Sequence, residues 1–206
     1  MYARIVRTDG DYDRETIAAA LADAVVPSYA RIPGYCGISA NHQPGAGAVW
    51  AVSTWSSLDA VRASEELSEH LRRRWATGTR RRLRGARVYE LPVQVAGSRL
   101  PVAGSALHVV PFRLEGPVAA EDGIGCLRDD LVAGLASWSG FRAARVLFDR
   151  RTGSGLLTTA WDAADTGVQA YESAMVERLC AAARGVELGR PTTREIIFAH
   201  VLTRTP

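Results

Sequence analysis

The sequence contains no lysine, so all 25 of its basic residues are arginine. This absence excludes mechanisms that need a lysine amine, such as Schiff-base formation. Cysteine is also scarce, because only Cys36, Cys126 and Cys180 occur, far apart and without a CxxC spacing. An odd number of scattered cysteines argues against a disulfide framework and against a zinc site. We therefore expect reduced, partly buried thiols.

Long apolar runs are missing as well. No segment approaches the ~20 apolar residues that cross a bilayer, and the first ten residues, MYARIVRTDG, lack the layout of a secretory signal. We therefore predict a cytoplasmic protein without a membrane partner. Its 206 residues, 47% of them hydrophobic and 23% charged, are typical of one large globular domain or two smaller ones.

Motifs of the common enzyme classes do not occur. The sequence has no P-loop, Rossmann glycine signature, nucleophile elbow, HExxH helix or carboxylate pair. No motif in the sequence therefore supports hydrolysis, phosphoryl transfer or nicotinamide chemistry. We also predict no metal site. One stretch is crowded with arginines, at positions 72, 73, 74, 80, 81, 82, 84 and 87. Such a stretch can attract anions, but without a nucleic-acid-binding motif it is more typical of a solvated helix end and loop, so we predict no nucleic-acid partner.

The chain contains an internal duplication. Residues 33–55 and 139–161 match without gaps at a shift of 106 residues (33 to 139), and the match places Trp55 on Trp161 and Gly47 on Gly153. It extends upstream, where Leu21 falls on Leu127. A long ungapped match of this kind indicates two copies of one structural unit.

Each copy predicts the order βαββαβ. Short strands rich in β-branched residues flank helices with apolar residues at spacings of three and four, and a hairpin with a glycine turn lies between the two helices. This is the ferredoxin-like arrangement. We therefore predict an α+β fold made of tandem ferredoxin-like repeats, with repeat 1 at residues 1–95, a linker at 96–105 and repeat 2 at 106–206. Each sheet leaves one face bare, so we expect the copies to cover each other as one barrel.

Both copies contain a short step after the first helix, Pro33-Gly34-Tyr35 and Ser139-Gly140-Phe141, and a strand that ends on Trp before the stretch SSLD or DAAD. In these motifs the sequence resembles the antibiotic-biosynthesis-monooxygenase domains of the dimeric α+β barrel superfamily. The resemblance covers nearly the whole chain as two copies in tandem. It implies a pocket between the sheet and the helices of each unit. Some members of that family oxidise aromatic polyketide intermediates with oxygen and no cofactor, others bind and degrade haem, and others have no established activity.

The residues that the family uses are incomplete here. The quinone-forming oxygenases place an Asn four residues before the strand-end Trp, where this sequence has Ala51 and Leu157. The haem degraders use an Asn on the first strand with a Trp and a His near the second helix. The first strand has no Asn, the helix Trp falls near Val61, and His70 is displaced by about one residue. The resemblance therefore implies no complete haem-degrading triad.

Several residues are candidates for the site. Trp55 and Trp161 could stack a flat aromatic ligand or could wedge helix to sheet as core residues. Trp50 and Tyr29 add aromatic character in copy one, where copy two has Leu156 and Leu135 at matching positions. The candidate catalytic histidines are His70, as a base or haem ligand, and the pair His108 and His200, as neighbours on adjoining strands.

Three functional hypotheses follow. The first is a cofactor-independent monooxygenase-like enzyme of natural-product metabolism, which deprotonates a phenolic or hydroquinone-like substrate and excludes water while oxygen reacts. The second is a haem-binding or haem-modifying protein that uses His70, and the third is a non-catalytic ligand-binding barrel. In each case we expect a small hydrophobic aromatic partner. The aromatic residues favour a site in copy one, and a homodimer of the tandem chain stays open.

Overall fold

The computed structural model describes residues 1–11, 13–79, 81–114 and 117–201, and within these ranges the chain forms two compact units. Unit 1 comprises Met1–Val88 and Glu195–Pro206, and unit 2 comprises Tyr89–Arg194. Cys36 and Cys126 are free thiols, as predicted, whereas the side chain of Cys180 lies outside the described part. None of the described helices is both long and apolar enough to cross a membrane.

Unit 1 alternates strands and helices from its first residues. Its elements are β1 (Tyr2–Asp9), α1 (Arg14–Ala20), a π-helical turn (Leu21–Val25), α2 (Val26–Tyr29), β2 (Tyr35–Gln43), β3 (Ala48–Trp55), α3 (Leu58–Ala63), α4 (Glu65–Thr79) and the start of β4 (Arg82–Ala96). Side-chain caps set the helix starts. The Asp13 carboxylate accepts from the Thr16 N–H at 2.8 Å, and the Ser57 hydroxyl accepts from the Ala60 N–H at 3.1 Å.

The sheet of unit 1 presents one face to its helices. Its strands follow the order β4-β1-β3-β2, and both Val6 and Ala40 lie opposite Ala51 in antiparallel register. Because side chains alternate along a strand, these three residues point to the same face. Ile17 of α1 and Val61 of α3 belong to the apolar cluster that packs on this side.

Unit 2 contains a similar order of elements, with one additional short strand, β8. They are β5 (Ala106–Leu114), α5 (Pro117–Cys126), a π-helical turn (Leu127–Val132), α6 (Ala133–Ala136), β6 (Phe141–Asp149), β7 (Ser154–Trp161), α7 (Ala164–Ser173), α8 (Met175–Ala183), β8 (Val186–Leu188) and the start of β9 (Thr192–Val201). The π-helical turns begin at Leu21 and Leu127, which are 106 residues apart, and the tandem duplication stays a prediction. The α+β class is confirmed, whereas closure of both sheets into one barrel stays a prediction.

The last strand of each sequence repeat runs past the unit in which it begins. β4 pairs with β6 in unit 2 from Glu90 opposite Phe148 to Ala96 opposite Ala143. β9 pairs with β2 in unit 1, where His200 lies opposite Ile38. The compact units therefore cover different residue ranges from the predicted sequence repeats. The boundaries of the repeats stay a prediction.

Candidate active site

Unit 1 contains a cavity between its sheet and its helices. Its enclosed part has a volume of about 70 Å³, and the empty space including the open mouth is about 640 Å³. A single buried water needs roughly 10–15 Å³ of such enclosed volume. The enclosed part therefore has room for a small ring, and the mouth allows a longer ligand to extend outward.

The cavity wall is mostly apolar. Among the described lining residues, the polar ones are Thr8, Tyr29, Ser53 and Arg72, and the apolar ones include Val6, Ile17, Leu21, Val25, Leu71 and Trp75. The strand residues reach the cavity because they lie on the helix-facing side of the sheet. A few polar groups in an apolar wall are typical of sites that bind a hydrophobic ligand and fix its orientation.

Arg72 is the cationic group at this wall. It belongs to α4, in the same turn as Leu71 and Trp75, and its side chain is only 14% exposed. One end of the guanidinium is paired, because Nη2 donates to Glu65 Oε1 at 2.9 Å. The other end, Nη1, is buried and has no hydrogen-bond partner among the described residues. A buried unpaired donor is costly, so Nη1 is suited to an oxygen of a bound ligand.

A second arginine, Arg4, is buried behind the cavity and is only 1% exposed. Its Nη1 donates to the Ser64 hydroxyl at 2.9 Å and to the Ser68 hydroxyl. Its Nη2 donates to the Val61 carbonyl at 2.7 Å and to Glu65 Oε2 at 2.6 Å. These contacts offset the cost of burying a charge. We call Arg4, Ser64, Ser68 and Glu65 the Arg4 network.

Glu65 connects the two arginines. Burial raises the pKa of this carboxyl, but the hydrogen bond from Arg72 and the positive charge of Arg4 outweigh burial, so the pKa is lowered. Glu65 is therefore an anion at neutral pH. Its side chain is half exposed, which places the network between the protein surface and the cavity wall.

Tyr29 links the network to the cavity. Its hydroxyl donates to Ser68 Oγ at 2.9 Å. Its ring packs edge-on against the rings of Trp55 and Tyr35, with distances between ring centres of 5.2 Å and 5.7 Å. Burial, followed by the nearby Tyr29 and Cys36, raises the pKa of Tyr35. Tyr35 is therefore neutral, and the rings of Trp55 and Tyr35 hold Tyr29 in one orientation.

The predicted aromatic residues lie in different places. Tyr29 lines the cavity, whereas Trp55 and Trp161 are fully buried core residues outside the described lining. Their indole N–H groups are already used, by Ser53 Oγ at 3.0 Å and by Thr159 Oγ1 at 2.9 Å. Trp50 lies on the opposite face of β3, where the Arg7 guanidinium is 5.3 Å from its ring. Ligand contact by the three tryptophans stays a prediction.

The candidate histidines have different surroundings. His70 is exposed on α4 and is absent from the cavity lining, although Leu71 and Arg72 follow it directly. His200 stacks on Tyr35 at 6.2 Å in unit 1. His108 is buried in unit 2, where its Nε2 is 3.2 Å from Thr193 Oγ1.

The predicted proximity of His108 and His200 stays a prediction. His200 lies opposite Ile38 of β2 in unit 1, whereas His108 is 3.2 Å from Thr193 in unit 2. Burial lowers the pKa of His108, while a contact with the backbone of Ala164 opposes this shift.

Unit 2 is apolar where unit 1 is polar. At the shift of 106 residues, Tyr29, Thr8 and the Arg4 network residues Arg4, Ser64 and Ser68 correspond to Leu135, Leu114, Val110, Ala170 and Ala174. All five side chains in unit 2 are buried within one hydrophobic cluster. By contrast, the Trp–hydroxyl bond of Trp55 recurs at Trp161. The Trp–hydroxyl bond, which both units share, is therefore structural. The polar residues that only unit 1 has at these positions point to a site in unit 1.

Comparisons with known proteins agree on the fold. No protein-family profile and no curated protein sequence matches the chain. Among solved structures, an anthrone oxidase-like protein aligns with a TM-score of 0.61 at 14% identity, over 100% of this chain and 95% of its own. A candidate monooxygenase from Fusobacterium nucleatum subsp. nucleatum aligns with a TM-score of 0.69 at 12% identity, over 98% and 94%.

A haem-binding protein from Thermus thermophilus also aligns, with a TM-score of 0.55 at 9% identity, over 95% of this chain and 90% of its own. At such identities the likeness shows the fold. The chain therefore has the α+β fold of monooxygenase-like and haem-binding proteins, as the sequence resemblance predicted. Fold alone does not decide between their activities, so the function must be argued from the cavity.

Two residues that matter in this cavity were not singled out from the sequence. Arg72 was grouped with the solvated arginines, although its helical spacing to Trp75 placed it on an inward-facing turn. Arg4 lies in a strand whose two faces are both largely buried, so alternation alone gave no signal. Among the described residues, no group of His, Cys, Asp or Glu is placed to hold a metal ion.

Proposed function

We propose that unit 1 holds the site of a cofactor-independent monooxygenase-like enzyme. Its substrate is a phenolic or hydroquinone-like aromatic of natural-product biosynthesis in the cytosol. The observation that carries this proposal is the apolar cavity with the buried, unpaired Nη1 of Arg72 at its wall. The apolar wall suits an aromatic ring, and the guanidinium suits an ionised ring oxygen.

The chemistry needs no group beyond substrate and oxygen. A phenol and O2 give a quinone and water, so one oxygen atom enters the product, the other leaves as water, and the substrate supplies all the electrons. The protein contributes a charge that stabilises the substrate anion and a wall that excludes water from the reacting ring. In this cavity Arg72 supplies the charge, while Val6, Leu21 and Trp75 are among the residues that form the wall.

The proposal uses no histidine as a base. Among the described lining residues there is no His, Asp or Glu. Arg72 instead favours the ionised form of a bound phenol, whose proton leaves through the open mouth to water. Catalytic roles for His70, His108 and His200 stay predictions that this mechanism does not require.

Oxygen uptake tests the proposal directly. Metal-free protein is expected to consume oxygen with an anthrone or a hydroquinone, and Arg72→Met is expected to lower kcat/KM by about 100-fold, the effect of removing one donor to a developing oxyanion. Arg73→Met is the matched control. Arg73 is exposed in the next helical position and pairs with Glu69, so this variant should keep wild-type activity.

Two results would contradict the proposal. Oxygen uptake that Arg72→Met and Arg73→Met reduce equally would remove Arg72 from the mechanism. No uptake across a panel of anthrones and hydroquinones that nevertheless bind would favour the non-catalytic ligand-binding barrel.

The residues of the cavity do not fit haem. Haem iron needs an axial ligand such as His, Cys, Met or Tyr. The described lining contains no His, Cys or Met, and the hydroxyl of Tyr29 is bonded to Ser68. The enclosed space is also small for a macrocycle. Haem binding through His70 therefore stands as the alternative that some structural neighbours support, but this cavity does not favour it.

A haemin titration distinguishes haem binding through His70 from the cofactor-independent function. Because His70 is exposed outside the lining, we expect His70→Ala to leave the Soret spectrum of a haemin titration unchanged from wild type. Glu69→Ala, which changes the adjacent exposed residue, serves as the control. A Soret shift that wild type and Glu69→Ala show and His70→Ala loses would establish the haem alternative.

A further inference from the structure

The Arg4 network is not required by the fold. In unit 2 the positions of Arg4, Ser64 and Ser68 hold Val110, Ala170 and Ala174, and this unit has the same order of elements apart from the additional short strand β8. Apolar groups of suitable shape often replace a buried ionic network without loss of stability. Its presence in unit 1 alone, next to the cavity, therefore calls for a role in that cavity.

The direction of the hydrogen bonds suggests this role. A guanidinium has donors and no acceptor, so Arg4 can only donate to Ser68 Oγ. The Tyr29 hydroxyl donates to the same oxygen. Both acceptor sites of Ser68 Oγ are then filled, and the hydrogen of the Tyr29 hydroxyl is used. What Tyr29 still offers is the lone pair of its oxygen, which can only accept.

We infer that Arg4 acts through Ser68 as a positioning residue that fixes Tyr29 as a hydrogen-bond acceptor toward the cavity. The ligand must therefore carry a hydroxyl donor at this point, an inference that rests on the cavity being the site of the proposed function. Arg72 presents the opposite polarity, because Nη1 can only donate. A dihydroxy-aromatic ligand satisfies both groups, with one oxygen facing Arg72 and a second that keeps its hydrogen for Tyr29.

A pair of isomeric ligands tests the polarity. 4-Ethylphenol and 4-methylanisole have the same atoms, but only the phenol can donate. We expect the wild-type protein to bind 4-ethylphenol about tenfold more tightly by isothermal titration calorimetry, because the ether leaves the Tyr29 oxygen unpaired. Tyr29→Phe is expected to bring this ratio close to one, while the packing of the ring is kept.

Variants of the network show whether Arg4 and Ser68 set the polarity. In Ser68→Ala, and in the triple variant Arg4→Val/Ser64→Ala/Ser68→Ala, the Tyr29 hydroxyl loses its acceptor and can donate to the ether. We expect the ratio to fall below about threefold in both, as one neutral hydrogen bond is regained by the weaker ligand. A network that acts only on stability would lower both affinities together and leave the ratio unchanged. Ser68→Thr keeps the hydroxyl and should restore the wild-type ratio.

The outcomes distinguish this inference from the proposed function. Equal binding of the two isomers by wild type, or tighter binding of the ether, overturns the inference while oxygen uptake still tests the enzyme. A ratio that survives in Ser68→Ala overturns the role of the network. Failure of both isomers to bind at millimolar concentration overturns the inference and the assignment of the cavity as the site.

Discussion

Replacing Arg81 by alanine is expected to lower the free energy of unfolding of unit 1 by about 3–5 kcal/mol, because several backbone carbonyls lose a charged donor and each buried acceptor left without a partner costs about 1–3 kcal/mol. Arg81 is only 5% exposed. Its Nη1 donates to the carbonyls of Gly10 at 2.6 Å and Asp11 at 2.5 Å, and its Nη2 to those of Thr8 at 3.1 Å and Gly47 at 3.2 Å. The side chain thus ties the end of β1 to the turn between β2 and β3.

Urea denaturation followed by tryptophan fluorescence measures this loss. Arg84→Ala is the matched control, because Arg84 pairs with Asp9 at 2.6 Å on the exposed side of the same region. An exposed ion pair of this kind contributes ~0–1 kcal/mol. If Arg81→Ala lies within about 1 kcal/mol of Arg84→Ala, which is the upper limit for that pair, the tie does not stabilise unit 1.

Unit 2 shows why a side chain is needed there. At the shift of 106 residues Arg81 corresponds to Glu187, which lies in the short strand β8 opposite Arg113 of β5. In unit 2 a backbone ladder therefore satisfies the end of the first strand. In unit 1 the guanidinium of Arg81 supplies donors to the carbonyls in the corresponding region instead.

The sequence was informative about local structure because similar local signals occur in both halves of the chain. Apolar spacing predicted the helices, and glycine turns such as those at Gly47 and Gly153 predicted both hairpins. Strand pairing across the chain was harder to predict. Local alternation does not say that β9 lies beside β2, so the position of His200 opposite Ile38 was not predicted.

The candidate site was only partly predictable for a related reason. Comparing the copies drew attention to Tyr29, which differs from Leu135 and lines the cavity. The same comparison would have singled out Arg4 against Val110. A charged residue in a strand is usually exposed to solvent, so the buried position of Arg4 was not predicted. The buried positions of Arg72 and Arg81 were not predicted either, because a run of arginines is usually exposed.

The Arg4 network yields the second large stability effect. Arg4→Ala is expected to lower the free energy of unfolding of unit 1 by about 3–5 kcal/mol, since it removes the buried partner of Ser68, Ser64 and Glu65 and leaves a cavity. The triple variant Arg4→Val/Ser64→Ala/Ser68→Ala is expected to recover at least about 2 kcal/mol of that loss, because buried hydroxyls are no longer left without partners.

Unit 2 provides the physical reason for this recovery. Val110, Ala170 and Ala174 are buried to 2%, 0% and 7% exposure in a continuous apolar cluster, so the fold accommodates this set of side chains. Urea denaturation of the single variant, the triple variant and wild type measures the three free energies. Should the triple variant be less stable than Arg4→Ala alone, the network stabilises unit 1 in a way that unit 2 does not need. The role of the Arg4 network would then be to stabilise the fold of unit 1, and not to position groups at the cavity.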